Sequence, residues 1–465
     1  MPTFNLDTAF VRRLRGSISM QAPSVESRRE KSHAGDAVIE ALIVAGCFTA
    51  FWSNSDAVGS IARPLIFVFL ILAAFLAILT SKVQRIATTP TELLLYAVGV
   101  LSAAVSVVLA ENYSILYTTY FFAAIVVVSV LVRTVSLERL LDLGAQVTIL
   151  CILACAIVER HDLLSALSIT IGKHGMLRFS PLGNHPLLTG DIFGGGSILL
   201  IRRLYLSRNT LERCVMALGI LCAWSFALAA SARSSVVALG AAAAFAIVVE
   251  LRLTSVLFSK RTGLAVVAIA ACILLYVGPA HKYLQEILAV NSAYRGVGSG
   301  ATGRTDLWMR GLSTLFSDPS RLAFGAGLRS SEAESIGFST ESSYMSILLD
   351  CGLFFGSALI ALFVYAPVSA LKLSRSSTSG SNSFAFLPSF FVFLLVQCFF
   401  IRDLVGLGNP ISLMTLFFIT SLSMSAGFRA SLQAAPNNAA VAERPAIGML
   451  RTKPKEAASS HPPRS

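Results

Sequence analysis

Apolar runs of about 17 to 20 residues recur from one end of this chain to the other, separated by polar segments that are mostly short. A run of that length crosses a hydrocarbon core of about 30 Å only as an α-helix, since lipid offers no partner to an open backbone N–H or C=O. Their repetition commits the chain to an all-α, polytopic membrane fold. Charge content agrees: 13% of the 465 residues are charged, against about 25% in an ordinary soluble domain.

The runs give about twelve candidate spans: 37–54, 63–80, 91–110, 114–132, 140–158, 186–201, 211–230, 234–250, 263–279, 342–370, 384–401 and 409–426. Lys and Arg concentrate in alternate connections. These hold Lys82 and Arg85; Arg133 and Arg139; Arg202, Arg203, Arg208 and Arg213; Arg252, Lys260 and Arg261; and Lys372 and Arg375. The positive-inside rule makes that side the cytoplasm, so both termini are expected there. The first 36 residues are polar, which predicts a signal anchor in the first run and no cleavable leader. The expected organisation is a cytoplasmic segment 1–36, nine helices within 37–279, a large periplasmic loop 280–341 between helices nine and ten, three helices within 342–426 and a disordered cytoplasmic tail 427–465.

The net charge of +12 is spent on these topology signals, and no basic face interleaved with aromatics points to nucleic acid. The eight cysteines fall within predicted spans and outside the long loop, so no disulfide framework is indicated. His161, His174, His185 and His281 fit no zinc spacing, and no phosphate-binding glycine loop joins a strand to a helix. No metal, nucleotide or other cofactor is expected.

Chemistry-bearing residues gather on the predicted outer side. "GSGATGRTDLWMRGLSTLF" reads as a turn followed by a helix with Arg304, Trp308, Leu312 and Leu315 on one stripe, suited to the membrane interface. Arg304 then stands in the first turn, where guanidinium and helix N–H groups together favour an anion. Arg233, in "AASARSSVVALG", and Arg402 occupy tight outer turns, and an arginine so close to lipid snorkels or takes an anionic partner. In "FSPLGNHPLLTGDIFGGGSILL", Asp191 lies inside an apolar run beside three glycines that suit close helix packing. Glu341 marks the boundary of "STESSYMSILLDCGLFFG". It is either a first-turn carboxylate behind a Ser339 or Thr340 cap, or a general base held near a cationic site. Spacing leaves both open.

Three blocks carry a family resemblance. "FSPLGNHPLLTGDI", "SARSSVVALG" and the ordered set "ATGRTDLWMRG", "FGAGLRS" and "ESSYMSILLDCGLFFGSAL" together resemble the O-antigen ligase and Wzy-type polysaccharide polymerase superfamily. The resemblance implies a glycan transferase of the bacterial inner membrane. It would polymerise undecaprenyl-pyrophosphate-linked repeat units into exopolysaccharide or O-antigen at the periplasmic face, with no metal. By motif, Arg233 and Arg304 would grip the pyrophosphate and Glu341 would stand where ligases keep histidine, as the base. Asn184, Trp308 and Tyr344 would contact substrate. The expected partners are the lipid-linked oligosaccharide, the bilayer and a chain-length copolymerase. The alternatives are a ligase that transfers glycan to lipid A core and a twelve-helix transporter, against which the absence of inverted repeats counts.

Overall fold

The computed structural model describes residues 25–80, 83, 88–109, 112–162, 179–230, 232–250, 300–330, 337–376, 383–402, 404 and 407–425. The expected ninth span at 263–279 and the tail 427–465 lie outside them, as do residues 1–24 and parts of both longer loops.

Among the described residues every regular element is helical. In chain order these are α1 Val25–Phe51, α2 Gly59–Leu79, α3 Pro90–Val108, α4 Asn112–Leu131, α5 Leu137–Val158, α6 Pro186–Leu206, α7 Thr210–Ala229 and α8 Arg233–Phe245. A π turn, Ala246–Glu250, extends α8; then follow α9 Gly300–Phe316, α10 Pro319–Phe324, α11 Ser343–Ser376, α12 Leu387–Gln397 and α13 Pro410–Ser425. Seven of them (α2, α3, α4, α5, α7, α8 with its π turn, and α11) are long and apolar enough to cross a membrane. Their outer flanks agree. α2 leaves Val68, Ile71, Leu72 and Phe75 exposed, a surface that requires a hydrocarbon surround. This is a helical membrane protein.

α6 lies at the centre, buried on every side from Leu187 to Leu200. The glycine triplet explains how neighbours come so near. A Cβ on Gly194 would sit 2.7 Å from the Phe393 ring, and one on Gly196 2.5 Å from the Thr148 methyl. Small residues let α5 and α12 close onto α6, the ordinary device of membrane helix packing.

The two ends of the bundle differ in charge chemistry. At one end basic residues are matched by carboxylates. Arg133 grips the fully buried Glu92 at 2.6 and 3.0 Å, and Arg139 holds Glu40 at 2.6 and 2.8 Å. Arg202 and Arg203 share Asp142 at 2.8 and 3.1 Å, and Arg203 also meets Glu212. Glu92 additionally completes a capping box with Thr89 at the start of α3, so one carboxylate both ends a helix and neutralises an arginine. The opposite end collects residues 52–63, 179–188, 325–330, 337–343, 398–402 and 407–409, with hydrogen bonds between them: Ser53 Oγ to the Gly408 carbonyl at 2.7 Å, Asn54 to Asn184 at 3.0 Å, Ser343 to Ile401.

Here α11 breaks. Gly352 has φ +70 and ψ −178, a conformation essentially confined to glycine. The break frees carbonyls that lipid cannot satisfy. Ala326 N–H donates to the Leu349 carbonyl and Gly327 N–H to that of Asp350, both at 2.9 Å. The segment "FGAGLRS" is thereby sewn into the helix gap. Gly327, at φ +94, passes so close to Ser106 and Ser114 that a Cβ would overlap both hydroxyls.

Gly352→Ala should therefore lower the thermal midpoint in nanodiscs, with a backbone strain of about 1–3 kcal/mol. Gly240→Ala, whose Cβ would meet nothing within 4 Å, serves as the control and should be neutral or slightly stabilising by its helix propensity.

Candidate anion-binding site

The loop-rich end encloses a cavity of about 360 Å³. Asn54 and Arg63 line it from the α1–α2 turn; Gly183, His185, Leu187 and Leu188 from the start of α6; Arg329 from the sewn-in segment. Ser339 and Glu341 come from the approach to α11, and Ile401, Arg402, Gly408 and Asn409 from the connection between α12 and α13. Among the described residues, three guanidinium groups and one carboxylate thus line the space.

Each group has a physical support. Arg63, one turn into α2, donates its Nε–H to the Ser53 carbonyl at 3.0 Å. Arg329 lies over Tyr117, its guanidinium carbon 4.8 Å from the ring centroid, a cation–π contact that fixes a planar cation by its face. Its backbone is left-handed (φ +62) and its N–H donates to Asp350 Oδ2 at 2.9 Å. Arg402 donates to Ser339 Oγ at 3.3 Å. Asn409 caps α13 through Ile411 N–H at 2.8 Å and donates to the buried Asp191 at 3.1 Å. His185 Nδ1 accepts Leu187 N–H at 3.3 Å, which keeps the neutral ring's proton on Nε2.

Arg304 and Glu341 come together, Nη2 to Oε2 at 3.7 Å, with Arg304 only 16% exposed and Glu341 42%. The Arg304 guanidinium also lies 5.8 Å from the Phe400 ring. A fourth arginine therefore stands behind Glu341. Glu341 is not in the first turn of a helix: α11 begins at Ser343, and Glu341 precedes it with left-handed backbone, φ +53. A non-glycine backbone held in that conformation is strained, and such strain concentrates at functional sites. Thr340 bonds Ser346 and Ser342 instead of capping, and its carbonyl accepts Trp308 Nε1–H at 3.1 Å.

The helical stripe of α9 differs from its sequence expectation. Leu315 is 1% exposed, packed with Ala326 and Leu349 against α11. A Cβ on Gly311 would meet Met345 at 2.9 Å. The stripe faces protein, because α11 offers it an apolar flank nearer than the bilayer. Two expected substrate contacts also face inward. Asn184 is fully buried, donating to the Phe51 and Pro181 carbonyls at 2.8 and 3.1 Å and accepting from Asn54; it holds the turn that carries Asn54 into the cavity. Tyr344 donates to the Leu395 carbonyl at 2.7 Å and packs its ring on Phe399.

Arg233 begins α8, where flanking Ala232 and Ser235 press on Gly190 of α6. It is at the same end of the bundle but outside the cavity lining. Arg63 and Arg329 were not singled out in the sequence. Their signal is the same as that of Arg402: a basic residue at the end of the bundle opposite the paired arginines.

No family model and no curated protein matches the chain, so the chemistry of this site is read from its own geometry.

Proposed function

We propose that the protein is a membrane glycosyltransferase that polymerises undecaprenyl-pyrophosphate-linked oligosaccharide units, with the arginine-lined cavity as its pyrophosphate site. The observation that carries this reading is the convergence of Arg63, Arg329 and Arg402 on one space, with Arg304 reached through Glu341. Arginine suits the task because its planar fork binds phosphate oxygens in pairs and keeps its charge at any physiological pH. In this reading the helices number twelve, with the large loop between the ninth and tenth. Both termini are cytoplasmic and the cavity opens on the periplasmic side of the bacterial inner membrane.

The acceptor sugar hydroxyl surrenders its proton to the Glu341 carboxylate while its oxygen bonds to the donor's anomeric carbon. The bond from that carbon to the diphosphate oxygen breaks, and the diphosphate leaves with the electron pair. Guanidinium groups already in place stabilise that growing charge without reorganising. The energy resides in the lipid-linked donor.

Purified protein in nanodiscs should bind inorganic pyrophosphate, more weakly as salt rises. Loss of one charge-assisted bond is about 1.5–3 kcal/mol, so Arg402→Ala or Arg329→Ala should weaken binding by about tenfold or more in calorimetry. In cells, Arg304→Ala and Glu341→Gln should insert normally and leave single lipid-linked repeats without polymer. A deletion strain separates the readings: single repeats on the periplasmic side mean a polymerase, finished lipid-linked chains a ligase, and cytoplasmic accumulation a transporter.

A further inference from the structure

The geometry points to Asp350 as the positioning residue for Arg329, and the inference rests on the anion-site reading given above. Asp350 is 7% exposed and lies two residues before the Gly352 break. Its Oδ2 accepts the Arg329 N–H at 2.9 Å and its Oδ1 accepts the Ser330 hydroxyl at 2.7 Å. Its own carbonyl accepts Gly327 N–H at 2.9 Å. One residue therefore ties three successive points of the sewn-in segment to α11, and Arg329 is the only one of those points that lines the cavity.

The left-handed backbone of Arg329 explains why the tie is needed. A non-glycine residue at φ +62 relaxes toward ordinary backbone unless its surroundings over-determine it. The carboxylate supplies that constraint from below, and the Tyr117 ring supplies it at the guanidinium. A second, water-sized space of about 30 Å³ lies between Asp350, Ser346 and Tyr117 and shares Arg329 and Arg402 with the main cavity. Asp350 thus stands behind two of the three lining arginines and does not itself line the cavity.

A charge placed there has two opposite effects on an anion. By Coulomb's law alone, removing a negative charge from behind two arginines strengthens anion binding. Loss of Arg329's position weakens it. Asp350→Asn keeps the shape and removes the charge, so the sign of its effect discriminates between the two roles.

The test uses full-length protein in nanodiscs, with inorganic pyrophosphate as the probe and Arg329→Ala as the partner variant. Asp350→Asn should weaken binding by about tenfold, the size of one charge-assisted bond. It should have no further effect in the Arg329→Ala background, the signature of two residues acting through one contact. Hydrogen exchange of the peptide covering 325–330 should speed up in Asp350→Asn while the long helices keep their protection. Tighter binding, equal effects in both backgrounds, or unchanged exchange at 325–330 overturns the positioning role. If the unaltered protein fails to bind pyrophosphate, the anion-site reading falls, and the exchange measurement still decides whether Asp350 holds the segment.

Discussion

A helix that crosses a bilayer has nowhere to send the carbonyls freed by a break, because hydrocarbon supplies no donors. α11 breaks at Gly352, and the Leu349 and Asp350 carbonyls are answered by the N–H groups of Ala326 and Gly327. That backbone constraint brings residues 325–330 into the bundle and lays Arg329 beside Arg402. Ser343 at the start of α11 is bound in turn to the Cys398 and Ile401 carbonyls, so the same helix fixes both flanks of the cavity. Remove the break and the arginines lose the common frame that holds them around one space.

The distribution of carboxylates gives that frame its electrostatic meaning. At the opposite end, Glu92, Glu40, Asp142 and Glu212 each meet an arginine, and the charges are neutralised within the protein. At the cavity, among the described residues, three guanidinium groups share a lining with one carboxylate, Glu341. Guanidinium groups gathered in a partly desolvated space favour an anion with several oxygens. The left-handed backbone of Glu341 and its contact with Arg304 put this acid at the edge of the cavity.

Much of the fold was legible, and for a simple reason. Helix in a membrane is demanded by length and apolarity, both of which are local properties. The runs at 63–80, 91–110, 114–132, 140–158, 211–230 and 234–250 each coincide with a helix of the structure to within two residues at their C-terminal ends. The packing role of the Gly194–Gly196 triplet was also readable, since small residues in an apolar run have few other uses. The site was less legible. Arg304 and Glu341 each stand beside a compositional boundary. Arg63 and Arg329 lie within or beside apolar runs and carry no local mark beyond being on the basic-poor side. Asn184 and Tyr344 looked suited to sugars, yet hydrogen bonds to Phe51, Pro181 and Leu395 occupy their polar atoms, which no spacing rule foretells.

The sequence by itself determined the helices, the outward lipid-facing flanks and the segregation of basic residues to alternate connections, because each depends on residues a few positions apart. Only the tertiary structure decided that arginines from three distant connections meet in one cavity, that the α9 stripe faces α11 and that a buried aspartate stands behind Arg329. Those outcomes depend on which carbonyl finds which donor across the bundle, and a break at one glycine settles that choice only after the whole chain has packed.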